Sequence, residues 1–81
     1  MKIIKVDWID ASTIWEVLTE QELKEKQLIE VTTIGYLVDE NEHRIAMASM
    51  VNREAENIFF KTSHLIPKCL VKNIEVLKNI T

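Results

Sequence analysis

Two tryptophans and the polar residues between them are the best candidates for binding chemistry in this chain. Trp8 and Trp15 both lie in the stretch KVDWIDASTIW, residues 5–15, where they flank Asp10 and Ser12. An aromatic ring can stack on a flat group, and a carboxylate or a hydroxyl can hydrogen-bond to a base or a sugar. The same residues equally suit a core tryptophan followed by a helix N-cap, so both interpretations stay open.

Two further residues could complete such a site. Tyr36 follows Gly35, where a bend in a strand lets another group approach the backbone. Lys68 follows the proline that ends a predicted strand, and its ammonium group could meet an anion. Aromatic faces, hydrogen-bond acceptors and a cation together suit a nucleotide or another flat anionic ligand.

Patterns typical of catalysis and metal binding are missing from the sequence. His43, His64 and the lone Cys69 share no metal-ligand spacing. A nucleophilic cysteine needs a positioned histidine and a third group, and Cys69 is interpreted more simply as a buried apolar residue. The sequence predicts a non-enzymatic protein without a metal or a cofactor.

Length and composition predict one small domain, residues 1–81. The chain is 47% apolar and 28% charged, as globular proteins commonly are. No apolar run approaches the roughly 20 residues that span a bilayer, and the first residues lack a signal-peptide cleavage site. The lone cysteine allows no internal disulfide, which suits a reducing compartment. We therefore expect a cytoplasmic protein without a membrane partner.

The charges are unevenly distributed along the chain. The net charge is −3, but residues 57–81 contain four lysines and one glutamate. A protein that grips a nucleic-acid backbone needs a broader basic face than this. Nucleic-acid binding is therefore disfavoured.

The apolar pattern positions these residues on strands and a short helical region. Residues 2–9 nearly alternate and predict a strand. Thr19 and Glu22 form a capping-box pattern, which predicts a helical piece through about Gln27. Before it, four apolar residues at helical spacing predict a first helical piece: Ala11, Ile14, Trp15 and Leu18. Four more strands are predicted at residues 28–38, 44–51, 57–66 and 73–78.

Five short strands with apolar residues on both faces predict a sheet that curves strongly. Gly35, the one glycine, lies in the middle of a predicted strand, where a bulge or bend is expected. We expect a mostly β fold, either a small five-stranded barrel with a helix packed across it or an open, curved antiparallel sheet with a helix on one face.

Three stretches, VDWIDAS, TTIGYLVDENEHRIAMA and LIPKCLVKNIEVL, resemble a group of small uncharacterised bacteriophage and prophage proteins. The last stretch is also similar to the closing half of Sm-like barrels, although it lacks the Arg-Gly pairing of their RNA pocket. The phage resemblance implies a protein of the infected bacterial cytoplasm that acts by binding. Some such proteins sequester the signal nucleotides of bacterial immunity, and others cover a host enzyme.

The leading hypothesis is a homo-oligomeric protein that sequesters a small anionic signal nucleotide, because an interface between copies can supply a pocket that a small barrel lacks. Rings of Trp8 and Tyr36 would stack on the base, and Asp10 and Ser12 would hydrogen-bond to the base or ribose. Lys68, with Arg44 or Arg53, would meet the phosphate.

Two alternatives stay open. The first is a protein-binding module that inhibits a host defence enzyme through an exposed face including Met47 and Met50. The second is an Sm-like nucleic-acid binder, which the charge balance disfavours.

Overall fold

Alternating apolar residues form strands that pair into one antiparallel sheet. The computed structural model describes residues 1–11 and 16–80. Its strands are β1 (Lys2–Asp10), β2 (Ile29–Glu40), β3 (Arg44–Glu54), β4 (Asn57–Pro67) and β5 (Val71–Asn79). They form a five-stranded sheet with the order β4-β3-β2-β1-β5. The predicted mostly β fold is confirmed, including the end of a strand at Pro67, whose ring nitrogen cannot donate to a ladder.

The sheet curls at one end but stays open, so the barrel is wrong and the open antiparallel sheet is correct. A 3₁₀ turn, Lys68–Leu70, joins β4 to β5. The Cα atoms of Pro67 and Val71 can therefore be at most about 14 Å apart, whereas the edges of a flat five-stranded sheet lie about 19 Å apart. The edge strands β4 and β5 do not pair. A closed barrel needs continuous pairing around the ring, and the recorded pairing of β3 with β2 ends at Ala48.

The helix begins at the predicted capping box. Helix α1 (Glu20–Glu25) has Thr19 as its N-cap, and the hydroxyl of Thr19 accepts the N–H of Glu22 at 3.2 Å. Lys24 and Glu20 form the expected i,i+4 ion pair at 2.9 Å. The helix was expected to pack on the sheet, but none of the residues of α1 is buried. The predicted first helical piece falls partly on residues 12–15, outside the described residues.

The core lies on one side of the sheet, called the inner side below. Cross-strand partners share a side and neighbours along a strand alternate, so Ile4 and Val6 of β1 lie on the same side as Gly35 and Thr33 of β2. The buried cluster consists of Ile4, Val6, Ile45, Met47 and Ile66, with Trp8, Leu37 and Val71 packed against it. The opposite side is called the outer side.

After Ala48, which pairs with Tyr36, β3 no longer pairs with β2, and β3 and β4 leave the sheet as a pair. A Cβ atom at position 35 would lie 2.6 Å from the carbonyl oxygen of Ala48, so glycine lets the backbone of β3 approach closely. The recorded β2–β3 pairs extend only from Tyr36↔Ala48 to Glu40↔Ile45. Residues 49–62 therefore form a two-stranded hairpin, called the arm below, which has no buried residue.

Within residues 1–11 and 16–80, no helix has the length and apolar character required to cross a bilayer.

Candidate functional site

Arg44 and Lys68 are the two predicted site residues that the fold brings together. Arg44, at the start of β3, pairs across the sheet with Pro67, the residue before Lys68. The backbone N–H of Lys68 donates to the carbonyl oxygen of His43 at 2.9 Å, so the two chain segments are held side by side. With their carboxylate partners Asp39 and Glu40, these side chains form a cluster called the charged corner below.

A tight turn sets the geometry of this corner. The side-chain oxygen of Asn41 accepts the backbone N–H groups of His43 at 2.8 Å and of Arg44 at 2.9 Å. An asparagine that bonds its own downstream backbone in this way forms an Asx-type turn. The turn therefore directs the chain from β2 into β3 and places Arg44 beside the end of β2.

The two cations of the corner are already paired. A guanidinium nitrogen of Arg44, Nη2, lies 2.9 Å from Oδ2 of Asp39, and Nζ of Lys68 lies 2.8 Å from Oε2 of Glu40. The four charges sum to zero, so the corner offers no net attraction to an anion. Its other notable atom is Nη1 of Arg44, which is buried without a hydrogen-bond partner among the described residues. A buried, unpaired donor is costly, and an acceptor placed there would be stabilised.

Trp8 lies on the inner side and packs against the core. Its indole Nε1 donates to Oγ1 of Thr33 at 3.0 Å, and its ring contacts the buried cluster as a half-buried side chain. The spacing explains this placement, because Trp8 lies two residues after Val6 and four after Ile4 in β1, so the three side chains are on the same side. The structure thus accounts for Trp8 by packing and one hydrogen bond, and its role in stacking a ligand stays a prediction.

The remaining predicted residues are scattered. Asp10 is exposed at the end of β1, and Tyr36 is half-buried on the outer side, opposite Ala48. Arg53 lies about 30 Å from Arg44 along β3, at about 3.3 Å per residue, so these two arginines do not share one phosphate site. Ser12 lies outside the described residues.

A second candidate surface is apolar and lies on the outer side. One large apolar residue from each of four cross-strand pairs lies on that side: Ile34 opposite Lys5, Met50 opposite Lys61, Phe59 opposite Asn52, and Leu65 opposite Ala46. The four side chains are between 50% and 70% exposed. They are called the outer patch below: Ile34, Met50, Phe59 and Leu65. Phe59 and Leu65 lie about 20 Å apart along β4, with Lys61 and Ser63 between them on the same side.

Sequence reasoning missed most of the outer patch and was wrong about Met47. Met47 is a core residue, 1% exposed, whereas Met50 is 51% exposed as expected. The expectation for Cys69 was also wrong, because its side chain is exposed on the 3₁₀ turn. The run Ile58-Phe59-Phe60 was the available signal for the missed surface, since three consecutive apolar residues on a strand cannot all face one core.

The described residues, 1–11 and 16–80, contain no group of three or more His, Cys, Asp or Glu side chains arranged to hold a metal ion. Among those same residues, the recorded buried side chains are all hydrophobic.

Comparison with known proteins adds no family to this description. No protein-family model, curated protein or solved structure matches the chain.

Proposed function

We propose that this chain is a non-enzymatic protein-binding module, and that the outer patch is its contact surface. The observation that carries the proposal is the exposure of Ile34, Met50, Phe59 and Leu65 on one side of the sheet, with Leu65 70% exposed. Protein interfaces are centred on large apolar and aromatic side chains, and methionine is enriched in them. The phage resemblance adds a class of partner, a host enzyme that the module would inhibit.

The charged corner supports protein binding better than nucleotide binding. Arg44 and Lys68 are neutralised by Asp39 and Glu40 at 2.8–2.9 Å, and an anionic ligand would have to displace these carboxylates. A protein partner needs no such rearrangement, because the apolar side chains of the outer patch already face solvent. Burial of apolar surface there would contribute about 25 cal/mol per Å² before the costs of association.

Purification of the tagged protein from a lysate of bacterial cells, followed by titration of the recovered partner, tests this proposal. We expect wild type to recover a stoichiometric partner, and Leu65→Asp and Phe59→Asp to weaken its binding at least about tenfold, as loss of a central apolar contact does. The matched control is Val76→Asp. It places the same carboxylate at a 48% exposed position of β5, at the opposite edge of the sheet from β4, and it should leave the affinity within about twofold.

Equal loss of binding in Leu65→Asp and Val76→Asp would contradict the outer patch as the surface. Failure to recover any stoichiometric partner would contradict the function itself. Circular dichroism of each variant separates lost binding from lost folding.

Sequestration of a small anionic nucleotide is the second candidate, and the buried Nη1 of Arg44 is the observation that favours it. On this proposal the Arg44 side chain turns to expose Nη1, a phosphate oxygen accepts from it, and the phosphate takes the place of Glu40 beside Lys68. A thermal-shift screen against cyclic mono- and dinucleotides, cyclic ADP-ribose isomers and linear controls tests it. A ligand at 100 times its Kd adds about 2.7 kcal/mol, which raises Tm by about 10–20 °C in a domain of this size.

The matched variants for this screen are Lys68→Ala and Lys72→Ala. Both lysines form ion pairs, Lys68 with Glu40 at 2.8 Å and Lys72 with Glu30 at 3.1 Å, but Glu30 lies near the start of β2 and Glu40 at its end. The shift should disappear in Lys68→Ala and persist in Lys72→Ala. A flat screen would eliminate the nucleotide proposal, and a shift that survives Lys68→Ala would place the ligand elsewhere.

A further inference from the structure

The inner side of the sheet continues beyond the core with apolar residues that other described residues leave uncovered. In the arm, Val51 pairs with Phe60 and Arg53 with Ile58, on the side of β3 that carries Ile45 and Met47. At the opposite edge, Ile74 and Val76 of β5 pair with the core residues Val6 and Ile4. These inner-side residues are between 37% and 53% exposed: Ile58, Phe60, Ile74 and Val76.

The molecule exposes more surface than a compact folded monomer of the same mass. Its accessible surface is 6391 Å², whereas a folded monomer of this mass exposes about 5,000 Å². Its radius of gyration is 16.2 Å, against about 12 Å for a compact domain of this length. The excess of about 1,300 Å² comes from the projecting arm together with residues 16–30, of which all but Leu18 are exposed.

The arm has few stabilising contacts of its own, because none of its residues is buried. An isolated two-stranded hairpin is at best marginally stable in water, and residues 49–62 contribute no buried side chain to the core. A partner that binds occasionally would leave the arm without support between encounters. A second copy of the chain is made at the same place and time, so it can supply this cover constantly.

The charges of the arm permit two copies to meet. The chain as a whole has a net charge of −3, but the arm carries Arg53 and Lys61 against Glu54 and Glu56. Two arms therefore approach without net repulsion.

We propose that the inner side of the arm is the interface of a two-fold symmetric homodimer, in which Ile58 and Phe60 of each copy are covered by the same surface of the other. A two-fold interface is self-complementary, so one apolar strip on each chain is sufficient. The proposal concerns the inner side and does not depend on the protein-binding role of the outer patch.

Light scattering coupled to size-exclusion chromatography, and sedimentation equilibrium, test the dimer. Wild type should have twice the chain mass of 9.5 kDa at micromolar concentration. Ile58→Asp should raise the dimer Kd by about 100-fold or more, because symmetry places the buried carboxylate in the interface twice. The matched control, Phe59→Asp, alters the neighbouring residue on the outer side, with 50% exposure against 53% for Ile58, and should remain dimeric.

A second measurement avoids variants that disturb folding. In a Cys69→Ser background, Ile58→Cys or Phe59→Cys introduces one thiol, and a short bismaleimide then reports which position meets its own copy. Ile58→Cys should give a cross-linked dimer in high yield, and Phe59→Cys should give little. A monomeric wild type at 100 µM, or preferential cross-linking of Phe59→Cys, would overturn the proposal.

The two proposals fail in different ways. Phe59→Asp should weaken partner binding at least about tenfold while the mass stays dimeric, and Ile58→Asp should give a monomer. A monomeric Phe59→Asp would show that the two sides of the arm are not separate surfaces.

Discussion

At the scale of single residues, Trp8 contributes to stability through both its ring and its indole N–H. The hydrogen bond from Nε1 to Thr33 spans β1 and β2 at 3.0 Å and is partly buried. A hydrogen bond of this kind contributes about 0.5–1.5 kcal/mol net. This contribution can be separated from packing, because phenylalanine retains most of the ring.

A double-mutant cycle with Trp8→Phe and Thr33→Val checks this interpretation. Each change should lower the free energy of unfolding in urea, and the coupling energy should be about 0.5–1.5 kcal/mol, since either change alone removes the same bond. Trp8→Ala should be far more destabilising because it leaves a cavity beside Val6 and Val71. Strict additivity of the two changes would show that the bond contributes nothing to stability.

Gly35→Ala should destabilise the fold by about 1–3 kcal/mol, the usual cost of forcing extra atoms into a packed site. The added Cβ would lie 2.6 Å from the carbonyl oxygen of Ala48, and a backbone atom cannot move aside without shifting β3. Urea unfolding measures the effect. Ile34→Ala, at the adjacent exposed position, is the control and should change stability by no more than about 0.5 kcal/mol. An unchanged midpoint in Gly35→Ala would show that β2 and β3 are not held this closely.

At the scale of elements, α1 is stabilised almost entirely by local interactions. The capping box of Thr19 and Glu22 and the ion pair of Glu20 with Lys24 hold a helix without buried residues. Loss of an N-cap usually costs a protein about 1 kcal/mol. Here the helix contributes little to the core, so its unfolding is a local event.

Thr19→Ala should therefore increase amide hydrogen exchange in residues 20–25 while the global free energy of unfolding changes by less than about 0.5 kcal/mol. Exchange measured by NMR and urea unfolding check the two parts. A global loss near 1 kcal/mol would contradict the local character of α1 and would indicate that the helix packs on another surface.

At the scale of the whole molecule, stability should depend on protein concentration. A dimer gains about 1.4 kcal/mol for each tenfold rise in concentration, so the Tm of wild type should rise by about 3–6 °C per decade in scanning calorimetry. Ile58→Asp should have a Tm independent of concentration, whereas Phe59→Asp should behave as wild type. A constant Tm for wild type would contradict the dimer.

Much of the secondary structure could be predicted from the sequence because its signals are local. The strand at residues 2–9, the capping box at Thr19 and Glu22, and the end of β4 at Pro67 depend on side-chain period, hydrogen bonds three residues apart and a missing N–H. The candidate site could be predicted only in part. Arg44 and Lys68 were identified, but their neutralisation by Asp39 and Glu40 was not, because it depends on which strand ends meet.

Local sequence patterns are enough to specify the five strands, the capped helix and the absence of recognisable catalytic motifs, since each follows from residues close together in the chain. The burial of Met47 beside an exposed Met50, the hydrogen bond from Trp8 to Thr33 and the open sheet with its projecting arm depend on how distant strands pair. The physical reason is the long-range register. β3 pairs with β2 from Ile45 to Ala48 and then continues beside β4 alone, and this choice of partners determines which apolar side chains enter the core and which remain available for binding.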